Sequence, residues 1–190
     1  MSYILVTGAP GSKWSSVVGD MYWSDSIDRS DYSKERTYGN KEVRHFGVYF
    51  DPHLEYGTQR EEWDKPFSGK GIRIIKSHTF SAELDTLKEH GYPIVLVHRN
   101  DYECYKWWIQ AGGFNIKYPN YKDYYEDLDG IFWHIQDQNN DIMQFVKENE
   151  KNIIKPKDNF DLCELLKIDH LDKPVKEYRD KDIDVYVWLK

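Results

Sequence analysis

The chain is 190 residues long, a length that favours a single domain (1–190) able to bury a core without disulfide staples. Its net charge of −7 argues against a general nucleic-acid surface while leaving room for a local basic pocket. The two cysteines, Cys104 and Cys163, lack metal or redox spacing and point to a reducing compartment, and no apolar run approaches the ~18 residues of a membrane helix. A strand starting at residue 3 leaves no room for a signal peptide, so a cytoplasmic protein without a membrane partner is expected. The 15 tyrosines and 7 tryptophans suit either a pocket for sugars and rings or a tyrosine-rich surface.

Tyr3-Ile-Leu-Val6 predicts a buried strand, Thr7-Gly-Ala-Pro-Gly-Ser-Lys13 a turn, and the segment up to Trp23 a helix. Strand, glycine-rich turn and helix form the arrangement that cradles phosphates. Glycines let several N–H groups face one anion, and the helix N-terminus adds about half a positive charge. Gly8, Gly11, Ser12 and Lys13 are the first candidates for such a cradle. The loop departs from a Walker A motif, because Lys13 follows Gly11 by two positions and bulky Trp14 comes next. An ordinary glycine-rich βα turn is the alternative.

Residues 24–45 read as an irregular excursion, Phe46-Gly-Val-Tyr-Phe-Asp51 as a short apolar run ending in an acid, and 52–71 as loop. Ile72–His78 is a strand candidate, and a helix capped by Ser81 and closed by Gly91 follows it. Pro93-Ile-Val-Leu-Val-His98 has the continuous apolar character of a strand buried on both faces. Asp101 can cap the next helix, which Gly112-Gly113 stops. Helical spacing over 120–149, through Tyr121, Tyr125, Ile131, Ile135, Ile142 and Phe145, predicts two helices broken near Asp129-Gly130. A Lys-rich connector (150–158), a helix over Phe160–Ile168 and a late alternating strand, Ile183–Leu189, complete the chain. The pattern predicts an α/β fold: three α/β/α layers around a central parallel sheet, with a helical C-terminal half.

In such sheets ligands sit beyond the carboxyl ends of the strands. The first end gives the cradle and the second gives Lys76-Ser77-His78, with Lys76 and His78 spaced to face one side. The third gives His98-Arg99-Asn100. All three ends are expected on one edge. The alternatives are a solvent-facing Lys76 and His78, and an Arg99 that pairs a structural carboxylate such as Asp101. His45, His53, His90, His98, His134 and His170 show no metal-ligand spacing, and Tyr105, Trp107 and Trp108 read as helix packing.

Together these motifs, over roughly residues 3–113, resemble the P-loop sulfotransferases, which use 3′-phosphoadenosine 5′-phosphosulfate (PAPS). Gly11-Ser12-Lys13-Trp14 looks like the family's 5′-phosphosulfate loop, Lys76-Ser77-His78 like its Lys-Thr-His strand end, and Ile94–Asn100 like its strand ending in Arg-Asn-Pro. Leu162-Cys-Glu-Leu-Leu166 is similar to a late family helix. The resemblance implies a P-loop NTPase-like fold. It places Gly8, Gly11, Ser12, Lys13 and Trp14 around the cofactor, assigns transfer to Lys76 and His78, and puts Arg99 on the 3′-phosphate. No metal is required. Three positions depart from the family. Its loop lysine falls at Ala9, its second 3′-phosphate ligand at Trp107, beside Lys106, and its C-terminal cofactor segment is matched only by the charges of Lys176 and Arg179.

Chemically, sulfuryl transfer needs in-line positioning and charge stabilisation. Lys13 and Lys76 suit the charge on the leaving phosphate, His78 suits a general base, and Arg99, with Lys106 beside it, suits the 3′-phosphate. The expected acceptor is a hydroxyl or amine of a small molecule or carbohydrate. Two other readings remain open: an ATP-dependent kinase using Asp51 for Mg²⁺, and a nucleotide-binding module without catalysis.

Overall fold

The computed structural model describes residues 2–31, 59–110, 128–169 and 182–190. Phe46–Asp51, the Gly112-Gly113 stop, Tyr121, Tyr125, His45, His53, His170, Lys176 and Arg179 lie outside the described residues. In chain order the elements are β1 (Ser2–Gly8), α1 (Trp14–Tyr22), β2 (Ile72–Lys76), α2 (Leu84–Glu89), β3 (Ile94–Arg99), α3 (Asp101–Gln110), α4 (Leu128–Glu148), β4 (Ile153–Ile154), α5 (Asn159–Leu165) and β5 (Ile183–Trp188).

The strands form one sheet in the order β2-β1-β3-β5-β4. β1 runs parallel to β2 and β3, whereas β5 runs antiparallel to β3 and to β4. The sheet is therefore mixed, which corrects the all-parallel expectation. Alternation of strand and helix predicts direction only through α3. The period-two pattern of β5 announces a strand but carries no direction.

Successive side chains of β1 point to opposite faces. Ile4 and Val6 join Val17, Val18 and Met21 of α1 and Leu162 of α5 in one core cluster. Tyr3 and Leu5 join Leu84 and Leu87 of α2 and Ile142 and Phe145 of α4 in the other. Helices thus cover both faces of the sheet. A third cluster, Ala9, Cys104, Trp108, Ile131 and Ile135, clamps α3 and α4 against the first βα turn.

Several local expectations are corrected. α4, the second of the two helices expected over 120–149, starts at Leu128 and includes Gly130, because Ile131, Ile135, Ile142 and Phe145 bury one stripe and outweigh the ~1 kcal/mol that a helical glycine costs; the first lies outside the described residues. Ser81 does not cap α2; it lies in a 3₁₀ turn, Thr79–Glu83, and its Oγ donates to the His78 carbonyl at 3.1 Å. Gly91, with φ +74, ends that segment as expected. Asn100 rather than Asp101 caps α3: its Oδ1 accepts from the amides of Tyr102 (3.0 Å) and Glu103 (3.3 Å). Asn100→Ala is expected to cost ~1 kcal/mol, measured by urea unfolding.

The stretch read as loop before β2 is also part of the core. Trp63 and Phe67 are buried, and Arg73 on β2 binds Asp28 at 3.2 Å and Asp64, which also accepts from the Tyr3 hydroxyl. The Lys-rich connector contains β4, paired with Val187 and Trp188. Among the described residues no helix is long and apolar enough to cross a membrane.

Candidate functional site

Because β1, β2 and β3 are mutually parallel, their carboxyl ends share one edge of the sheet. The turn after β1 starts from its sequence. Ala9-Pro10-Gly11-Ser12 closes with the Ser12 amide donating to the Ala9 carbonyl at 3.0 Å. Proline in second place and glycine at φ +80 in third satisfy a type II turn. Lys13 follows at φ 61, and α1 begins without a side-chain cap. A Cβ on Gly11 would sit 1.9 Å from the Cys104 carbonyl oxygen, so α3 comes too close for any other residue. The turn is thus tighter than an open phosphate cradle, and the Ser12 amide is used within it. The Ser12 hydroxyl is buried without a hydrogen-bond partner among the described residues and packs over Gly8.

His78 stands just past β2 and is 5% exposed. Its Nδ1 bonds the Gly8 carbonyl, and its ring lies 4.3 Å from the Trp14 ring at 35°. A carbonyl only accepts, so Nδ1 carries the proton and Nε2 is the basic nitrogen of the neutral ring. Burial pulls its pKa down to about 3, against the Gly8 bond, with the charges of His134 and Lys76 adding to the fall. Lys76 is 1% exposed, with Nζ 5.8 Å from the Trp14 ring centroid. Neither side chain faces solvent, which removes the bland reading of this strand end.

Arg99 ends β3 and is also buried. Its Nη1 donates to the Gly11 carbonyl at 3.2 Å, its Nε donates to Asp182 Oδ2 at 2.8 Å, and its Nη2 lies 3.9 Å from Glu103. The expected alternative partner, Asp101, accepts instead from Asn139 at 2.6 Å, while the same Asn139 amide donates to the Arg99 carbonyl at 2.8 Å. Lys13 Nζ lies 4.0 Å from the centre of the Trp107 ring. Trp107 therefore meets the candidate site as well as belonging to a packed helix. Burial, then the charge of Arg99, lower the Lys13 pKa, against Asp182 and Glu103. Lys106 is exposed and bonds Glu103 at 3.0 Å, the carboxylate that stands before Arg99.

Lys13, Lys76, His78 and Arg99 are thus gathered about residues 8–14 by direct contacts with the turn or with Trp14. Asp182, Glu103, Asn139 and His134 belong to the same surroundings and were not expected from the sequence, whereas Trp107 was met there only as the position of a displaced ligand. The buried Gln138 and Asn139, interrupting the apolar stripe of α4, are the one signal that could have found part of this set. Gln138 Nε2 lies 2.9 Å from His134 Nε2. No group of three metal-ligating side chains occurs among the described residues. The chain matches no protein-family model, no curated protein and no solved structure.

Proposed function

We propose that the chain binds a phosphorylated adenine nucleotide at the carboxyl edge of β1–β3 and transfers a sulfuryl group from PAPS to a hydroxyl or amine of a small-molecule or carbohydrate acceptor. The observation that carries the reading is the gathering of Lys13, Lys76, His78 and Arg99 about one turn. The donor set fits the cofactor chemically: the Arg99 guanidinium already holds the carboxylate of Asp182, an oxyanion of the kind a phosphate presents, and Lys13 adds positive charge to its surroundings. Arg99 would hold the 3′-phosphate, with Lys106 assisting through an exchange away from Glu103. Lys13, Trp14 and the first amides of α1, after Gly8, Gly11 and Ser12, would line the 5′ side in this P-loop-like arrangement. PAPS would supply a sulfuryl group: an S–O bond to a hydroxyl acceptor, or an S–N bond to an amine, forms as the S–O bond to phosphate breaks, and the phosphate keeps the electron pair. Nε2 of His78 is placed to take the acceptor's proton, with Nδ1 anchored on Gly8, once the bound anionic cofactor has raised the pKa that burial holds at about 3. Lys76, buried beneath Trp14, adds positive charge where little water screens it. A cytoplasmic setting accords with the reduced cysteines.

A second reading, a nucleotide-binding module without turnover, draws support from the sealing of His78 beneath Trp14 and from the use of Arg99 to hold the Gly11 carbonyl. Calorimetric titration with PAP (the desulfated product), AMP and ATP separates the readings. PAP is expected to bind at least ~10-fold more tightly than AMP without Mg²⁺, because a charged hydrogen bond contributes roughly 1.5–3 kcal/mol. Arg99→Ala should erase most of that preference and Lys106→Ala part of it. Equal affinity for PAP and AMP refutes the proposal, and Mg²⁺-dependent ATP binding that needs Asp51 favours the kinase. PAP binding without sulfuryl transfer to any acceptor supports the module.

A further inference from the structure

Arg99 is 6% exposed, but the carboxylate on its Nε, that of Asp182, is 39% exposed. Asp182 immediately precedes β5, whose first residue, Ile183, pairs with Arg99 in the sheet. The acid therefore meets the buried guanidinium from the accessible side of the pair. It also feels the positive charge of Lys13. Burial raises the Asp182 pKa, but the Arg99 hydrogen bond and the charges of Arg99 and Lys13 outweigh it and hold the carboxyl below its usual range. Glu103 adds a second negative charge, 3.9 Å from Nη2. A carboxylate oxygen on the Arg99 guanidinium, with positive charge nearby, sits as a phosphate oxygen would.

Resting on the nucleotide reading above, we propose that Asp182 is a tethered anion on Arg99 that sets the site's specificity: a phosphate monoester dianion displaces it, whereas a monoanion does not. A dianion entering in place of a carboxylate gains one unit of charge against Arg99 and Lys13. A monoanion gains none, and it competes with a carboxylate held at an effective concentration in the millimolar range or above. The affinity of any ligand for Arg99 is then reduced by the fraction of molecules in which Asp182 has let go. Selection for the 3′-phosphate thus comes from what Asp182 repels as well as from what Arg99 attracts.

Asp182→Asn keeps the shape and removes the charge. Calorimetry on the full chain with PAP, AMP and inorganic phosphate should show PAP and phosphate binding the variant at least ~10-fold more tightly, with AMP, whose dianion is held on the 5′ side away from Arg99, gaining much less. PAP preferred over AMP in the wild type but no tighter in the variant overturns the role of Asp182 and leaves the nucleotide reading standing. Tighter phosphate binding in the variant, with no preference for PAP over AMP in either protein, supports the tethered anion and overturns the nucleotide reading. The Arg99 Nε–H resonance supplies a readout in the unmodified chain, needed if the variant fails to fold. PAP should shift it and acetate should not, whereas acetate should shift it in Asp182→Asn. PAP binding without that shift, or acetate moving it in the wild type, overturns the inference.

Discussion

Gly11→Ala is expected to destabilise the fold by about 2–5 kcal/mol, from ~1–2 kcal/mol for an L-residue in the left-handed region and ~1–3 kcal/mol for overpacking. Both costs apply at one atom: φ is +80, and the new Cβ would lie 1.9 Å from the Cys104 carbonyl oxygen. That oxygen belongs to the backbone of α3, so no side-chain rotation can relieve the contact. α3 must move instead, and with it the third core cluster and the Arg99 bond to the Gly11 carbonyl. Against a total stability of about 5–15 kcal/mol, such a loss is visible in any urea titration. Gly8→Ala provides the contrast. Its Cβ would meet Ser12 Oγ at 2.7 Å and the Val97 carbonyl at 3.0 Å. Ser12 Oγ has no hydrogen-bond partner among the described residues, so Ser12→Ala removes the closest obstacle at little cost. The Gly8→Ala/Ser12→Ala pair should be clearly less destabilising than the sum of its single changes, while Ser12→Ala should not rescue Gly11→Ala. A Gly11→Ala protein within ~1 kcal/mol of the wild type would show that α3 does not press on the turn as described.

The turn shows where sequence reading reaches and where it stops. Ala-Pro-Gly-Ser suits a type II turn as well as a phosphate cradle, and the backbone closes as that turn. The apolar runs of β1 and β3 and the β-branched run of β2 were legible, and with them the positions of Lys76, His78 and Arg99 at one edge. Their charge partners were not. Asp182 is 83 residues from Arg99 and reaches it only because β5 pairs with β3 in a particular register. Nothing local to Ile183–Trp188 specifies that register or its antiparallel sense. The two cap readings, Ser81 for α2 and Asp101 for α3, failed for a related reason. A cap is defined by where the preceding backbone turns, and the chain turns into α3 directly after Arg99 but passes through a 3₁₀ turn before α2. Trp107 was legible as an aromatic on a helix, but its place beneath Lys13 depends on how α3 lies across the turn.

Stability is expected to fall as the pH drops from about 6.5 to about 4, and His78 is the main cause. Its folded pKa is depressed to about 3, so it stays neutral in the folded protein through this window. In the unfolded chain an imidazole titrates near ~6.5. Below that value the unfolded state binds the extra proton, and the equilibrium shifts toward it by up to ~1.4 kcal/mol per pH unit for each such group. The stabilising contribution is thus complete above the unfolded pKa and is lost progressively as the pH falls toward the folded one. Burial lowers His98 and His134 as well, against Asp184 and Asp101 in one case and Asp137 in the other, and both add smaller slopes of the same sign. Asp141, raised by burial and by Asp137, acts in the opposite sense just above the ordinary carboxylate range. Asp28, Asp64 and Asp182 are held low against burial by their hydrogen bonds and neighbouring positive charges, and they lose their contribution only below about pH 4. The interval above that pH therefore reports mainly on the imidazoles, with Asp141 opposing them. His78→Asn keeps a donor for the Gly8 carbonyl and removes the titrating ring. Urea unfolding across the interval should show the slope of the variant reduced by up to one proton, a difference of about 3 kcal/mol accumulated by pH 4. Identical slopes in the two proteins would place a water-exposed, normally titrating imidazole at position 78 and remove the buried Nδ1–Gly8 bond on which its role as a base depends.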